Sequence, residues 1–211
     1  MDYRDLISDI LILIFCFLFG AIPFCYLIAK YTKGKDLTKI GDKNPGGWNL
    51  LFNVSKWWGI LGIILDVSKG ALCYFLALKF SNMQITPVLA GCMAVAGHDY
   101  PPYLKFNGGK GVATTLGFLV ALQPYSIFFY GFGIVTVLFT LKSMIWGMIS
   151  AIICASVFLW IFNKSFNYLI MGLLLLIIII PRYINSSKSF VQNFKIDRTV
   201  KVKDLFTPKI R

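Results

Sequence analysis

Charge is nearly absent from seven stretches of this chain, at 6–29, 57–78, 86–97, 112–122, 125–141, 144–162 and 166–181. Runs of that length and polarity restrict the fold severely. In hydrocarbon every backbone amide must be satisfied internally, and an α-helix needs about 17–25 apolar residues to cross. The first, second and sixth runs meet that length on their own, and the seventh comes within one residue of it, so these four can span. The third is short, and the fourth and fifth are separated by Gln123-Pro124, where proline disfavours helix at the residue before it. The expected fold is all-α, a polytopic membrane bundle of about seven transmembrane helices. Only 14% of residues are charged, against about 25% in soluble domains. The chain reads as one membrane domain, 1–211, ending in a polar, basic tail at 182–211 that lies along the membrane surface.

Charge asymmetry sets the expected orientation, because cytoplasmic segments collect Lys and Arg. Asp2, Asp5 and Asp9 outweigh Arg4 before the first run, which is unlike the basic start of a signal peptide. The first run therefore reads as a retained span that begins outside. Alternation then puts Lys30, Lys33, Lys35, Lys39, Lys43 and Lys56 inside, followed by Lys105, Lys110 and Lys142. The tail adds Arg182, Lys188, Lys195, Arg198, Lys201, Lys203, Lys209 and Arg211. Only Arg4, Lys79 and Lys164 fall outside, and Lys69 lies within a span. Fusing the fourth and fifth runs would move Lys142 and the tail outside, so seven crossings, N-out and C-in, fit best.

The net charge of +12 suits anionic lipid or an anionic substrate. No groove-reading module accompanies it, so nucleic acid is not an expected partner. The five cysteines all lie in apolar runs without a C-x-x-C pair and read as small buried hydrophobes. With His98 the sole histidine, no metal site is expected.

Two inward loops hold the candidate chemistry. The first reads Gly41-Asp42-Lys43-Asn44-Pro45-Gly46-Gly47-Trp48-Asn49. The second runs from Gly97-His98 to Gly108-Gly109-Lys110-Gly111-Val112-Ala113-Thr114. Glycines beside a lysine at a helix start let backbone N–H groups approach an anion, and Thr114 adds a hydroxyl. A membrane-surface turn with a snorkelling lysine is the plainer alternative. Asp66 and Lys69, three apart in the second run, face one another on a helix. They are either functional or a structural ion pair inside the bundle. His98 is a general base or a loop hydrogen-bonder.

These residues resemble the PlsY family of acyl-phosphate:glycerol-3-phosphate acyltransferases. Gly20-Ala21-Ile22-Pro23, Tyr26-Leu27-Ile28-Ala29-Lys30 and Asn44-x-Gly46 look like its first motif, and Asp66-x-x-Lys69-Gly70 is similar to the next. Gly97-His98-x-x-Pro101 with Phe106-x-Gly108-Gly109-Lys110-Gly111-Val112-Ala113-Thr114 matches the third almost throughout. Ser143 and Asn185 extend the likeness more loosely.

The resemblance implies transfer of an acyl chain from acyl phosphate to the 1-hydroxyl of glycerol 3-phosphate, giving lysophosphatidic acid. It also implies a multi-pass protein of the bacterial plasma membrane with its active face in the cytoplasm. No cofactor is called for, and the oligomeric state is left open. It assigns Lys110, His98 and Asn185 to catalysis. Substrate binding falls to Asn44, Gly46, Asn49, Asp66, Lys69, Gly108, Gly109, Gly111, Thr114, Ser143 and Arg182.

The chain departs from the family pattern in the first loop. Asp42 replaces a serine and Trp48 a threonine, while Phe52 and Thr38 stand where arginines are usual. A carboxylate opposes a phosphate ligand, and a lost arginine removes a bidentate partner. Near the C-terminus Arg182 replaces a histidine. An enzyme altered in acceptor or donor, or a lipid-binding or transporting homologue without activity, are the competing expectations.

Overall fold

A computed structural model describes residues 3–141 and 143–196, with side chains through Ile184. Lys142, the side chain of Asn185 and the tail beyond Ile196 lie outside the described residues. Among those described, secondary structure is entirely helical. The elements are α1 (Tyr3–Gly20), α2 (Phe24–Lys33), α3 (Gly47–Asn53), α4 (Lys56–Phe80), α5 (Thr86–Asp99), α6 (Val112–Leu122), α7 (Ser126–Leu141), α8 (Met144–Asn163) and α9 (Asn167–Ile196), with a 3-10 turn at Pro102–Leu104.

All seven apolar runs are helices, and the expected break at Gln123-Pro124 is present, with Gln123 extended between α6 and α7. Among the described residues, four helical segments are long and apolar enough to cross a membrane: Tyr3–Lys33, Lys56–Phe80, Met144–Asn163 and Asn167–Ile184. α6 is much shorter, about 16 Å at 1.5 Å per residue. Leu, Ile and Phe side chains of α1, α4, α7 and α8 are exposed, as suits a hydrocarbon solvent.

Three features were not expected. The first run is split at Pro23, which lacks an N–H and separates α1 from α2. A short helix, α3, forms inside the first loop. α9 continues through Pro181 to Ile196, so the segment after 181 begins as helix.

The buried core joins α5, α6, α7, α8 and α9 through Val95, Phe118, Leu119, Tyr130, Met148, Ile152, Leu159, Met171, Leu175 and Ile179. α6 lies against α4 with no side chain between them at two points. A Cβ on Gly70 would strike the Thr114 carbonyl, and one on Gly117 would strike that of Val67. Small residues permit such backbone contact where the hydrophobic effect between helices is weak. At the end of the bundle carrying Ser81–Ile85, Asp9 of α1 is buried. It accepts the N–H groups of Asn82 (3.0 Å) and Met83 (3.1 Å) and the Thr86 hydroxyl (2.6 Å), tying α1 to the start of α5.

Candidate functional site

The break at Pro23 leaves the Ile22 carbonyl inside the bundle. Lys69 of α4 donates to it at 2.9 Å, while its ammonium lies 3.0 Å from Asp66 Oδ1. Both side chains are almost wholly buried. Cys25 Sγ donates to Asp66 Oδ2 at 3.2 Å, and His98 Nδ1 stands 3.5 Å from Oδ1. This closed polar node staples α2, α4 and α5 at the broken helix. Such a pair is sustained by the extra hydrogen bonds around it, and removing one member costs about 3–5 kcal/mol.

His98 links the node to the second loop. The N–H of Gly109 donates to the His98 carbonyl (3.0 Å), and that of Gly108 to the Asp99 carbonyl (3.1 Å). A Cβ on Gly109 would land on His98 Nε2, and one on Gly108 would strike the His98 carbonyl. The two N–H groups expected to approach an anion are therefore spent on the loop's own closure. Arg182 of α9, also buried, donates through Nε to the Gly108 (3.1 Å) and Gly109 (3.0 Å) carbonyls and through Nη2 to Gly108. The Gly108-Gly109 turn is thus held by its amides on one side and its carbonyls on the other.

Beyond the turn, Gly111 takes a left-handed conformation (φ +69°) as the N-cap of α6. The fully buried Asp99 sits beneath it, since an added Cβ would lie 3.0 Å from Asp99 Oδ1. Lys110, between these fixed glycines, points outward instead. Its ammonium lies 5.8 Å from the centre of the Tyr183 ring and 3.3 Å from Asp42 Oδ2. The first N–H groups of α6 have no intrahelical acceptor, so an anion beside Lys110 would meet a helix start as well as an ammonium.

The first loop reaches Lys110 through Asp42. Asp42 Oδ1 accepts the Asn44 N–H at 3.1 Å, an Asx turn that orients the carboxylate. Asn49 organises the segment from within, its amide nitrogen donating to the carbonyls of Leu37 (3.0 Å), Ile40 (2.9 Å) and Asn44 (2.9 Å). Gly46 is the N-cap of α3. Trp48 and Phe52 pack against each other at 4.4 Å on the exposed side of α3.

Of the candidate residues, the structure brings Lys110, Gly108, Gly109, Gly111 and Arg182 together, with Asn44 and Asn49 shaping the facing loop. Thr114 is fully buried, with its carbonyl against Gly70 of α4. Ser143 is the N-cap of α8. Asp42 and Asp99 are additional. Asp99 follows His98 at the end of an otherwise uncharged helix, a position where a lone carboxylate is itself a signal.

Residues 10–193 match the family described as glycerol-3-phosphate acyltransferase. A glycerol-3-phosphate acyltransferase of Thermosipho melanesiensis is 38% identical over 178 residues, covering 82% of this chain and 87% of the relative. One from Prochlorococcus marinus is 34% identical, covering 83% and 90%. The fold is similar to the crystal structure of PlsY (YgiH), an integral membrane glycerol 3-phosphate acyltransferase, in its glycerol 3-phosphate form. That likeness has a TM-score of 0.75 at 31% identity and covers 95% of this chain and 100% of that one. The lysophosphatidic acid form gives 0.73 at 30% identity, covering 88% and 93%. With most of its length matched in sequence and in fold, this integral membrane chain belongs to the glycerol-3-phosphate acyltransferase family.

Proposed function

We propose that this protein moves an acyl chain from acyl phosphate to the 1-hydroxyl of glycerol 3-phosphate, releasing lysophosphatidic acid for phospholipid synthesis. The observation that carries the reading is Lys110, fixed at the start of α6 between glycines and turned toward the first loop. Both substrates are phosphate esters or anhydrides, and the donor is already activated. The protein's task is then to hold two anions and align a hydroxyl with a carbonyl carbon. Lys110 supplies charge, Asn44 and Asn49 shape the first loop, and Gly108, Gly109 and Gly111 set the position of the lysine. In this reading Arg182, Asp66, Lys69 and His98 support the turn from behind. The family resemblance adds Ser143 to substrate binding and Asn185 to catalysis.

The charge distribution supports seven crossings with the N-terminus outside, the C-terminus inside and the site on the cytoplasmic face of a bacterial plasma membrane. Tyr31, Trp48, Trp57 and Tyr103, exposed around the two loops, suit an interfacial aromatic belt.

The test is turnover by the purified protein in lipid vesicles with acyl phosphate and glycerol 3-phosphate. Lysophosphatidic acid should form, and Lys110→Ala should reduce kcat/KM by about 100-fold, as for other lost anion clamps. A Lys110→Ala variant as active as the parent would refute the role of the lysine. Activity with acyl-CoA alone would refute the donor.

A further inference from the structure

The ammonium of Lys110 already faces an anion, the Asp42 carboxylate at 3.3 Å. Resting on the acyl-transfer reading above, we propose that Asp42 is a displaceable counter-ion, which occupies Lys110 between turnovers and competes with phosphate for it.

The first loop is built to present this carboxylate. Gly41 and Lys43, on either side of it, both take left-handed backbone (φ 56° and 58°), so the chain turns sharply at Asp42. A Cβ on Gly41 would strike Asn49 Oδ1, and Asn49 is itself tied to the Leu37, Ile40 and Asn44 carbonyls. The turn therefore rests on the best-anchored residue of the loop. Asp42 Oδ1 accepts the Asn44 N–H at 3.1 Å, which leaves Oδ2 for Lys110. One oxygen belongs to the loop and the other to the cation.

Lys110 differs from the two buried cations behind it. The Arg182 guanidinium is committed to the Gly108 and Gly109 carbonyls, and Lys69 to Asp66 and the Ile22 carbonyl. Neither can turn to a ligand without breaking the bundle's own contacts. The side chains of Lys110 and Asp42 are instead 26% and 38% exposed. A pair as open as this shifts an equilibrium by no more than about 5-fold. A phosphate carries up to twice the charge of a carboxylate and can take the ammonium from it. As Asp42 gives way, the Tyr183 ring 5.8 Å from the ammonium keeps the lysine in place.

The carboxylate then stands beside a bound anion and repels it, so phosphate is held less firmly than by Lys110 alone. The same repulsion favours departure of the inorganic phosphate that each acyl transfer releases, with Asp42 returning to Lys110 behind it. Asp42 on this reading sets the affinity of the site for phosphate and takes no part in bond making.

Calorimetric titration with inorganic phosphate reads the competition directly. It is run on the purified full chain in detergent, for the parent, Asp42→Asn, Asp42→Ala and Lys110→Ala. Asparagine keeps an oxygen for the Asn44 amide, so the two Asp42 variants have only the loss of charge in common. Thermal unfolding checks that each folds, and either Asp42 variant that does so decides the sign. Both should bind phosphate about 5-fold more tightly than the parent, and the KM for glycerol 3-phosphate in vesicles should fall by a similar factor. Binding that is unchanged or weaker in Asp42→Asn overturns the proposal. Tightening in Asp42→Ala alone overturns it too, because the turn rather than the charge would then be responsible. Phosphate bound by none of the four proteins, or as well by Lys110→Ala as by the parent, defeats the underlying reading, so the two failures are distinct.

Discussion

The two loops that meet at Lys110 are built on different principles. The first is wired locally and by polar side chains. Asn49 reaches carbonyls no more than twelve residues away, and Asp36 and Asp42 each fold the chain back two residues. The second is wired by tertiary packing around absent side chains. Its glycines press on His98 and Asp99, and Arg182 clamps them from more than seventy residues away. A locally wired loop tolerates exchange of residues that its hydrogen bonds do not use. Trp48 and Phe52 occur there without disturbing the Asn49 contacts, because they lie on the outer side of α3. A loop held by tertiary contacts has little such freedom, which fits the near-complete match of its motif.

Alanine in place of one glycine in each loop tests this contrast most sharply. Gly109→Ala drives a Cβ into His98 Nε2, and His98 is backed by the Asp66–Lys69 node, so neither neighbour can give way easily. Displacing Lys110 by about 1 Å is enough to cost roughly 100-fold in rate. Gly46→Ala meets only the Asn44 side-chain nitrogen, at 3.1 Å. It should keep most of the parent's kcat. Equal losses in the two variants, measured as initial rates in vesicles, would erase the distinction between the loops.

A smaller effect is expected from removing the clamp while leaving the glycines. Arg182→Ala strips the Gly108 and Gly109 carbonyls of charged donors, an interaction of about 1.5–3 kcal/mol. It also takes a neighbouring positive charge from the buried Asp99. The melting temperature should fall, and the KM for glycerol 3-phosphate should rise as Lys110 loses its fixed setting. Arg182→Lys keeps the charge without the planar fork and should recover part of each loss. A direct contact between Arg182 and substrate would instead leave the melting temperature unchanged.

The same contrast explains what could be read in the sequence. Apolar runs set the helices because hydrocarbon leaves a backbone few choices, and the second loop was legible because a long glycine motif has one dense packing solution. The split at Pro23 was obscured by the unbroken apolarity of 6–29, although its partner Lys69 stood out as a charge within a span. The engagement of the Gly108 and Gly109 amides was not legible, since nothing in a glycine-rich string says whether its N–H groups face a ligand or the chain. Nor was the meeting of Asp42 with Lys110. It depends on two loops 68 residues apart in sequence being brought together by α2, α4 and α5.

The smallest effect concerns the first loop alone. The Thr38 hydroxyl, 2.6 Å from Asp36 Oδ1, holds that carboxyl below its ordinary value, helped by the Thr38 amide and by Lys39. A carboxyl lowered on folding adds stability that is present above its unfolded value. That stability is lost as the pH falls through the lowered one. The hydrogen-exchange protection of the Thr38 amide, relative to its intrinsic rate at each pH, should therefore drop below about pH 4, ahead of that of the amides of Gly108 and Gly109, whose acceptors are backbone carbonyls that do not titrate. Asp36→Asn should remove that pH dependence. Being partly exposed and screened by solvent, the contact contributes at most about 1 kcal/mol, so turnover at neutral pH should barely change. Simultaneous acid loosening of both loops would mean that they open as one unit, and that the first is not locally wired after all.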